Sequence, residues 1–556
     1  MSMSLIRNRR QFAVGSSVAA LVAALSGPAM AELTPDQLWT RWTELYAEQG
    51  VTVTEGSRSD ASGKLELTEV VFTSKSDEPK FTMALPSVTL EQTGDGKVRM
   101  TSSDADLKIS AKNAEGKTVE IDMDVTQKQS EVLFSGSIEA LTYDVKAAEI
   151  GVVLNDVKTE GKTDAPPKGT MTFTDITATG TVDKTDGSKM AGEGQVASLA
   201  VNLEVPPNEK GDQVKVTGTM SDIKVKSDQT TPAGVDVEDM NAAVSAGLTA
   251  MVAMTTGTGD FAINAQSKDE QGNPQQVDMT SAFGALSLDG GISKEGLTYT
   301  GSVKDGTFSS TVPGLPTPVG YKLAEGGGSI KFPLLKTEGD SASPFAVTYK
   351  LAGLVIDDGV WGLFDPSKKL PRDPANVDID VSGTVKLKEG LFSPAFLEEA
   401  KKAEAGGSDA PAAGTTPADG TTPADGTTPS DGTTPADGMT DDQEGMPAED
   451  MPDVRTVTIN KFNIDAVGAK IAATGELAAP EGGTLETPIG KIEGQLDGIN
   501  KLMDTLVAMG LMPQDQVAST RMMLAMFTKP AGDDQLTTTL EFKEGGQIFA
   551  NGQQLK

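Results

Sequence analysis

Histidine and cysteine are both absent from the 556 residues, and that absence decides most of the chemistry open to the chain. Without imidazole there is no ordinary general base near neutral pH, no Ser-His-Asp triad and no His-ligated zinc. Without thiols there is no disulfide and no lipid-modified cysteine, so the fold has to hold by burial and sheet hydrogen bonding. What remains is chemistry on carboxylates, lysines, hydroxyls and phenols. Carboxylates dominate: 80 Asp and Glu stand against 47 Lys and Arg, a formal charge of −33. Such a surface repels nucleic acid and anionic lipid headgroups, both of which select clustered Lys and Arg, so no nucleic-acid partner is expected.

The acids nearest to a catalytic spacing are Asp122 with Asp124 and Asp378 with Asp380. A glycosidase needs two carboxylates about 5–10 Å apart across a cleft. Here they alternate with Ile121, Met123 and Val125, and with Val377, Ile379 and Val381. In a strand that spacing puts the acids on one face and the apolar residues on the other, the pattern of a solvated sheet face. No P-loop, calcium loop or Gly-x-Ser-x-Gly element is present. The reading is therefore a non-enzymatic chain with no catalytic residue, no cofactor and no metal site. Candidate ligand-lining residues are Met503, Met509, Met522 and Met526, which crowd a C-terminal helical pair together with Met512 and Met523. Methionine is flexible and polarisable, so such a cluster suits an adaptable apolar pocket; it equally suits helices packing on a sheet.

The elements that must position these residues begin after an export signal. Arg7, Arg9 and Arg10 precede an apolar run from Phe12 to Leu25, and Ala29-Met30-Ala31 is a small-x-small cleavage site, so residues 1–31 are expected to be removed. The run is shorter than the ~20 residues a membrane span needs, and no later segment replaces it, so the mature chain is expected to be periplasmic without a transmembrane anchor. Asn8-Arg9-Arg10-Gln11-Phe12 also resembles a twin-arginine signal, which leaves the export route open. A helix should follow, with Thr34, Pro35 and Gln37 as its capping box and Leu38, Trp39, Trp42, Leu45 and Tyr46 as its apolar stripe, ending at Gly50.

From Val51 onward the period is two, as in Leu65-Glu66-Leu67 and Ile223-Lys224-Val225-Lys226. This predicts antiparallel strands with one buried face, turned at Gly94-Asp95-Gly96, Asn208–Asp212 and Glu325–Gly328. A helical break is expected over Val237–Met254, with Met240, Val244, Leu248 and Met251 on one face. Glycines at 136, 180, 218, 259, 301, 383 and 475 mark a loose repeat near 40 residues, read as a unit of three or four strands. The fold class is thus mainly β with a few helices: a long twisted antiparallel sheet curling into a groove, with an N-terminal helix and a C-terminal helical hairpin. In domain terms, 32–405 and 454–556 form one β-rich domain, interrupted at 406–453 by a Thr/Pro/Asp/Gly-rich acidic insertion expected to be disordered. A boundary between two domains is the other reading of that insertion. Helices at Ile499–Met509 and Gln514–Phe527 and a hairpin from Leu536 to Phe549 close the chain.

Trp361-Gly362-Leu363-Phe364-Asp365-Pro366, Leu370-Pro371-Arg372-Asp373-Pro374-Ala375, Val377–Gly383 and the ending Lys543–Gly552 resemble bacterial domain-of-unknown-function family 2125. The resemblance implies a periplasmic protein of unassigned function, similar over nearly the whole mature chain apart from the insertion, with no catalytic residues to transfer. At the level of fold the chain is also similar, more distantly, to AsmA-like envelope proteins, which implies an association with lipid movement. The function expected is a periplasmic binding or scaffolding protein holding a hydrophobic ligand, with lipid or an envelope protein as partner. A structural or assembly factor of the envelope without small ligand is the alternative, and a carboxylate-based glycan hydrolase the remote one.

Overall fold

The computed structural model describes residues 33–393, 396 and 452–556, apart from 49, 77, 114–115, 162–166, 209–210, 238 and 270. The expected leader and nearly all of the acidic insertion lie outside these residues. Within them, 27 strands pair antiparallel into one sheet, accompanied by five helices. The sheet is a meander in which most strands are joined to their neighbours in sequence, so the period-two pattern led to the correct fold class.

The first helix, α1 (Pro35–Glu48), starts as its capping box requires. The Gln37 amide donates to Thr34 Oγ1 at 3.3 Å, and the Thr34 amide donates to Gln37 Oε1 at 3.4 Å. Its apolar stripe then docks on the sheet. Leu38 and Trp39 are buried with Leu65, Leu67, Val70 and Phe72 of β3 (Lys64–Ser74) and with Leu85, Val88 and Leu90 of β4 (Lys80–Gln92). Trp42 meets Phe134 edge-on at 5.5 Å, and Tyr46 meets Phe72 at 5.1 Å. Each fully buried side chain of this size contributes roughly 2–3 kcal/mol, so the N-terminal end owns the largest dry core of the molecule.

Four of the turns share one construction, around Thr93–Lys97, Asn113–Lys117, Asn208–Asp212 and Asp269–Asn273. The first residue's amide donates to the fifth residue's carbonyl, and the fourth, always glycine, donates back to the first at 2.9–3.1 Å. Gly96, Gly116, Gly211 and Gly272 all have φ between 76 and 85°, which side chains disfavour. The Glu325–Gly328 segment is different: it lies inside β18 (Val319–Phe332) and makes no turn. A Cβ on Gly327 would stand 2.4 Å from the Gly301 carbonyl, and one on Gly328 would stand 2.5 Å from that of Thr348, so these glycines let neighbouring backbones approach.

The glycine repeat also has a physical cause. Gly180, Gly218, Gly259 and Gly383 pair directly with Tyr143, Phe261, Phe283 and Phe345 on the adjacent strands. A Cβ on Gly180 would stand 2.1 Å from the Tyr143 ring system, and one on Gly218 would stand 2.2 Å from the Phe261 ring, so each aromatic lies flat over its glycine. This pairing covers the bare backbone of an otherwise weak strand position. Between Gly136 and Gly259 the repeating unit is a hairpin of two strands, because strands such as β10 (Lys168–Asp183), β11 (Ser188–Val205) and β12 (Gln213–Thr231) run 16–19 residues, whereas the interval from Gly259 to Gly301 holds three strands of 9–10 residues, as expected.

A crease crosses these long strands. Glu69, Asp175, Asp222 and Asp305 sit in mid-strand with φ of 48–51°, a conformation that Asp tolerates better than most residues. Opposite three of them the neighbouring strand breaks at a glycine whose amide donates to the carbonyl before the acid: Gly56 to Thr68, Gly257 to Ser221 and Gly284 to Lys304, at 2.8–3.0 Å. The apolar parity slips by one residue here. Leu65 and Leu67 precede Glu69 while Val70 and Phe72 follow it, yet all four enter the same core. The left-handed residue therefore inverts the pleat and keeps one face apolar on both sides of the crease.

The helical break is shorter than expected. Helix α2 spans only Met240–Ala246, because Gly247 at φ 111° caps it, and β13 begins at Thr249. Val244 and Leu248 are buried with Ile292, but Met251 belongs to a strand and is exposed. Across the insertion the sheet continues: β20 (Ala375–Lys386) pairs with β21 (Asp453–Ala466), Lys386 facing Asp453.

Candidate functional site

The four methionines singled out by sequence do not share a cavity. Helix α4 (Ile499–Ala508) buries Met503, and Met509 stands half-buried at its C-cap. Helix α5 (Gln514–Phe527) inserts Val517 and turns Met522 and Met526 outward, 72% and 59% exposed. An open depression of about 760 Å³ beside α4 is lined by Lys369, Lys501, Asp504, Asp533 and Asp534 among others, and by none of the methionines. Asp534 there caps α4 from outside the helix, accepting from the Asn500 and Lys501 amides at 3.0 and 2.9 Å. Burial alone would raise its carboxyl, but these bonds hold it below the ordinary range.

The paired acids do not converge either. Asp122 is 3.6 Å from Lys108, Asp378 is 2.5 Å from Lys461, and Asp380 accepts from Asn460 at 3.0 Å. Asp122 and Asp378 are thus paired with a lysine, and Asp380 bonded by an amide, of a neighbouring strand on the polar side of the sheet. Among the described residues no group of three or more acids is placed to hold a metal ion.

Arg372 closes a corner between α3 (Asp358–Phe364) and β20. It donates to Asp358 and to the Asp365 carbonyl at 2.9 Å, and its guanidinium lies 5.0 Å over the Trp361 ring. The Asp365 carboxylate, fully buried, accepts from the Lys369 and Leu370 amides. These contacts tie α3 to the entry of β20, and the buried Arg372 Nε is left without a hydrogen-bond partner among the described residues.

The sheet face is the larger feature. Facing residues in antiparallel strands lie on one side, so the register can be followed sideways from strand to strand. One such row runs Tyr143, Gly180, Gly192, Ser227, Val252, Gly290, Tyr299, Ile330, Val347, Val381, Ile459, Gly475, Ile492. The next row on the same face includes Val225, Met254, Leu288, Gly301, Gly328, Tyr349, Ile379 and Phe462. A third carries Leu286, Val303, Gly326, Leu351, Val377, Ile464 and Ile471. No charged side chain interrupts these rows. At ~4.8 Å per strand the first row, thirteen strands wide, extends about 55–60 Å and the third, seven strands wide, about 30 Å. The opposite face is of another kind: Asp144, Thr179, Glu193, Lys226, Ala253, Asp289 and Thr300 form its corresponding row.

Among the described residues the apolar face is covered at its ends and open between them. α1 seals the N-terminal end, where Tyr143 and Phe134 are buried, and α4 and α5 contact β22 (Ala469–Ala478) and β25 (Gln535–Lys543). In the middle Val252 is 54% exposed, Tyr299 46%, Ile330 44% and Tyr349 47%. Sequence reasoning found the alternation that makes this face and a sheet curling into a groove, but set its candidate lining residues on the C-terminal helices instead; the available signal for the strands was the shortage of helices to pair with so much apolar surface. No described helix is long and apolar enough to cross a membrane.

No curated protein and no solved structure matches the chain. Trp361–Pro366 and Leu370–Ala375, two of the segments on which the family likeness was read, precede the matched region. Residues 380–550, from β20 to β26 (Gln547–Ala550), match the model of a bacterial family described as Uncharacterized protein conserved in bacteria (DUF2125).

Proposed function

We propose that this is a non-enzymatic binding protein of the bacterial periplasm that holds a hydrophobic ligand, lipid being the class that fits, on the open apolar face of its sheet. The observation that carries this reading is the set of three charge-free rows, in which Val252, Tyr299, Ile330 and Tyr349 stand about half exposed in mid-sheet, where a soluble domain ordinarily places a second layer. Magnitudes favour a ligand with more than one chain. Each buried methylene contributes ~0.8 kcal/mol, so a 16-carbon chain half covered by an open face gains roughly 6 kcal/mol. That corresponds to binding in the tens of micromolar; two chains bring it below micromolar, tight enough to survive purification. The twin-arginine or general export signal supports the periplasmic location, and the acidic polar face supports solubility.

Native mass spectrometry of protein isolated from periplasm tests both parts at once. The expected spectrum shows a chain beginning at Glu32 that carries a solvent-extractable lipid adduct, lost in Ile330→Asp/Val347→Asp while thermal unfolding stays cooperative. A wild-type chain that is always bare, and takes up no lipid from phosphatidylethanolamine vesicles, would reject the lipid reading and leave an assembly role.

A further inference from the structure

Resting on that reading, we infer that the ligand is an ester-linked diacyl lipid whose neck lies over β17 (Gly296–Ser310), β18 and β19 (Ser343–Ile356), recognised by the hydroxyls of Tyr299 and Tyr349. From β16 (Ala285–Ser293) to β21, the three apolar rows contain two side chains with a polar atom, and these are they. Both are close to half exposed, and neither hydroxyl has a hydrogen-bond partner among the described residues. The other tyrosines are used differently: Tyr46 and Tyr143 pack into the N-terminal core, and Tyr321 stacks on Phe308 at 5.7 Å, outside the three rows.

The two phenols address one strip. Tyr349 of β19 faces Gly328 of β18, and Gly328 faces Gly301 of β17. The Tyr299 hydroxyl leans over Gly301, its oxygen 3.0 Å from where a Cβ on that glycine would stand. Two donors thus flank a single strand on a stretch of these rows otherwise without polar side chains, β17 and β19 being ~10 Å apart. A neutral acceptor is what this surface can take. A carboxylate would lose its hydration with no cation on the face to replace it. A polypeptide would bring a donor and an acceptor for every residue, and two hydroxyls could not satisfy them. The carbonyls of an ester-linked lipid match in number and charge, with acyl chains running along the rows to either side.

The test compares diester phosphatidylethanolamine with its diether analogue, which keeps chains and headgroup but lacks the carbonyls, by titration into delipidated full-length protein. The wild type should prefer the diester, by about fivefold for each hydroxyl that bonds. Tyr299→Phe/Tyr349→Phe should remove the preference and leave diether affinity unchanged. Equal wild-type affinity for both lipids, or a preference that survives in the double variant, overturns the tyrosine assignment while leaving the lipid reading intact. Binding of neither lipid overturns both. A native dimer that forms on this face and excludes lipid would assign it to a second copy of the chain.

Discussion

Met522 and Met526 lie on the solvent side of α5, whereas Met503, from the same cluster in the sequence, is packed inside α4. Their substitutions should separate accordingly. Met522→Gln and Met526→Gln should each change stability by less than about 0.5 kcal/mol, as surface changes do. Met503→Gln should cost about 2–3 kcal/mol by burying an amide without partners, and urea unfolding measures all three. Tyr46 carries a second residue-scale consequence. Burial outweighs its contact with Trp42 and pushes its phenol up to about 12, above the ~10 of an unfolded chain. The folded state therefore retains a proton that the unfolded state releases. The stability this contributes is complete below pH 10 and is lost as the pH rises toward 12, an effect of up to about 2 kcal/mol. Tyr46→Phe should flatten that part of the alkaline decline in melting temperature. Tyr143, raised by burial as well, should leave a residual slope.

At the scale of the element, the long strands depend on two devices: rings laid over glycines and left-handed residues at the crease. Gly218→Val would force its side chain into the Phe261 ring and should cost about 2–3 kcal/mol. In a double-mutant cycle with Phe261→Ala, the combined loss should fall below the sum of the two, because the obstruction is the ring itself. Strictly additive losses would show that the ring does not set the strand position. The capping box of α1 was readable because all its partners lie within four residues. The crease was not. A one-residue slip at Glu69 or Asp222 looks like noise in an alternating pattern until the neighbouring strand shows that both halves face the same core. The Val237–Met254 segment failed for a related reason: its apolar spacing fits a helix, but Gly247 stops the turn and the pairing of β13 with β12 takes the rest.

For the molecule as a whole, the most informative contact is the ladder between β20 and β21, which brings Lys386 opposite Asp453 although 66 residues separate them in sequence. With the ladder formed, shortening the connection only reduces the entropy of a closed loop, a dependence that is logarithmic and weak. Deleting Thr415–Gly438 should therefore leave the melting temperature within about 2 °C of the parent, by calorimetry. A larger fall would mean that the deleted residues pack against the sheet. The same scale decides what the apolar rows are for. Every strand from β16 to β21 contributes one to three large apolar residues to them, and only the lateral register shows that these fall in line.

Much of this protein was determined by its sequence alone. The absence of histidine and cysteine removed whole classes of catalysis, the period of two set an all-antiparallel sheet, and local spacings fixed α1, the C-terminal helices and most turns. Those features depend on residues close together in the chain, where steric and hydrogen-bonding rules act without knowledge of the rest. Tertiary structure decided which apolar residues are covered. Burial is a property of what lies opposite, and the partner of a strand face here is another segment, a helix or nothing. Val252, Ile330 and Val347 read in sequence like Leu65, Val70 and Val98; the first three lie open and the last three form a dry core, because α1 reaches only one end of the sheet.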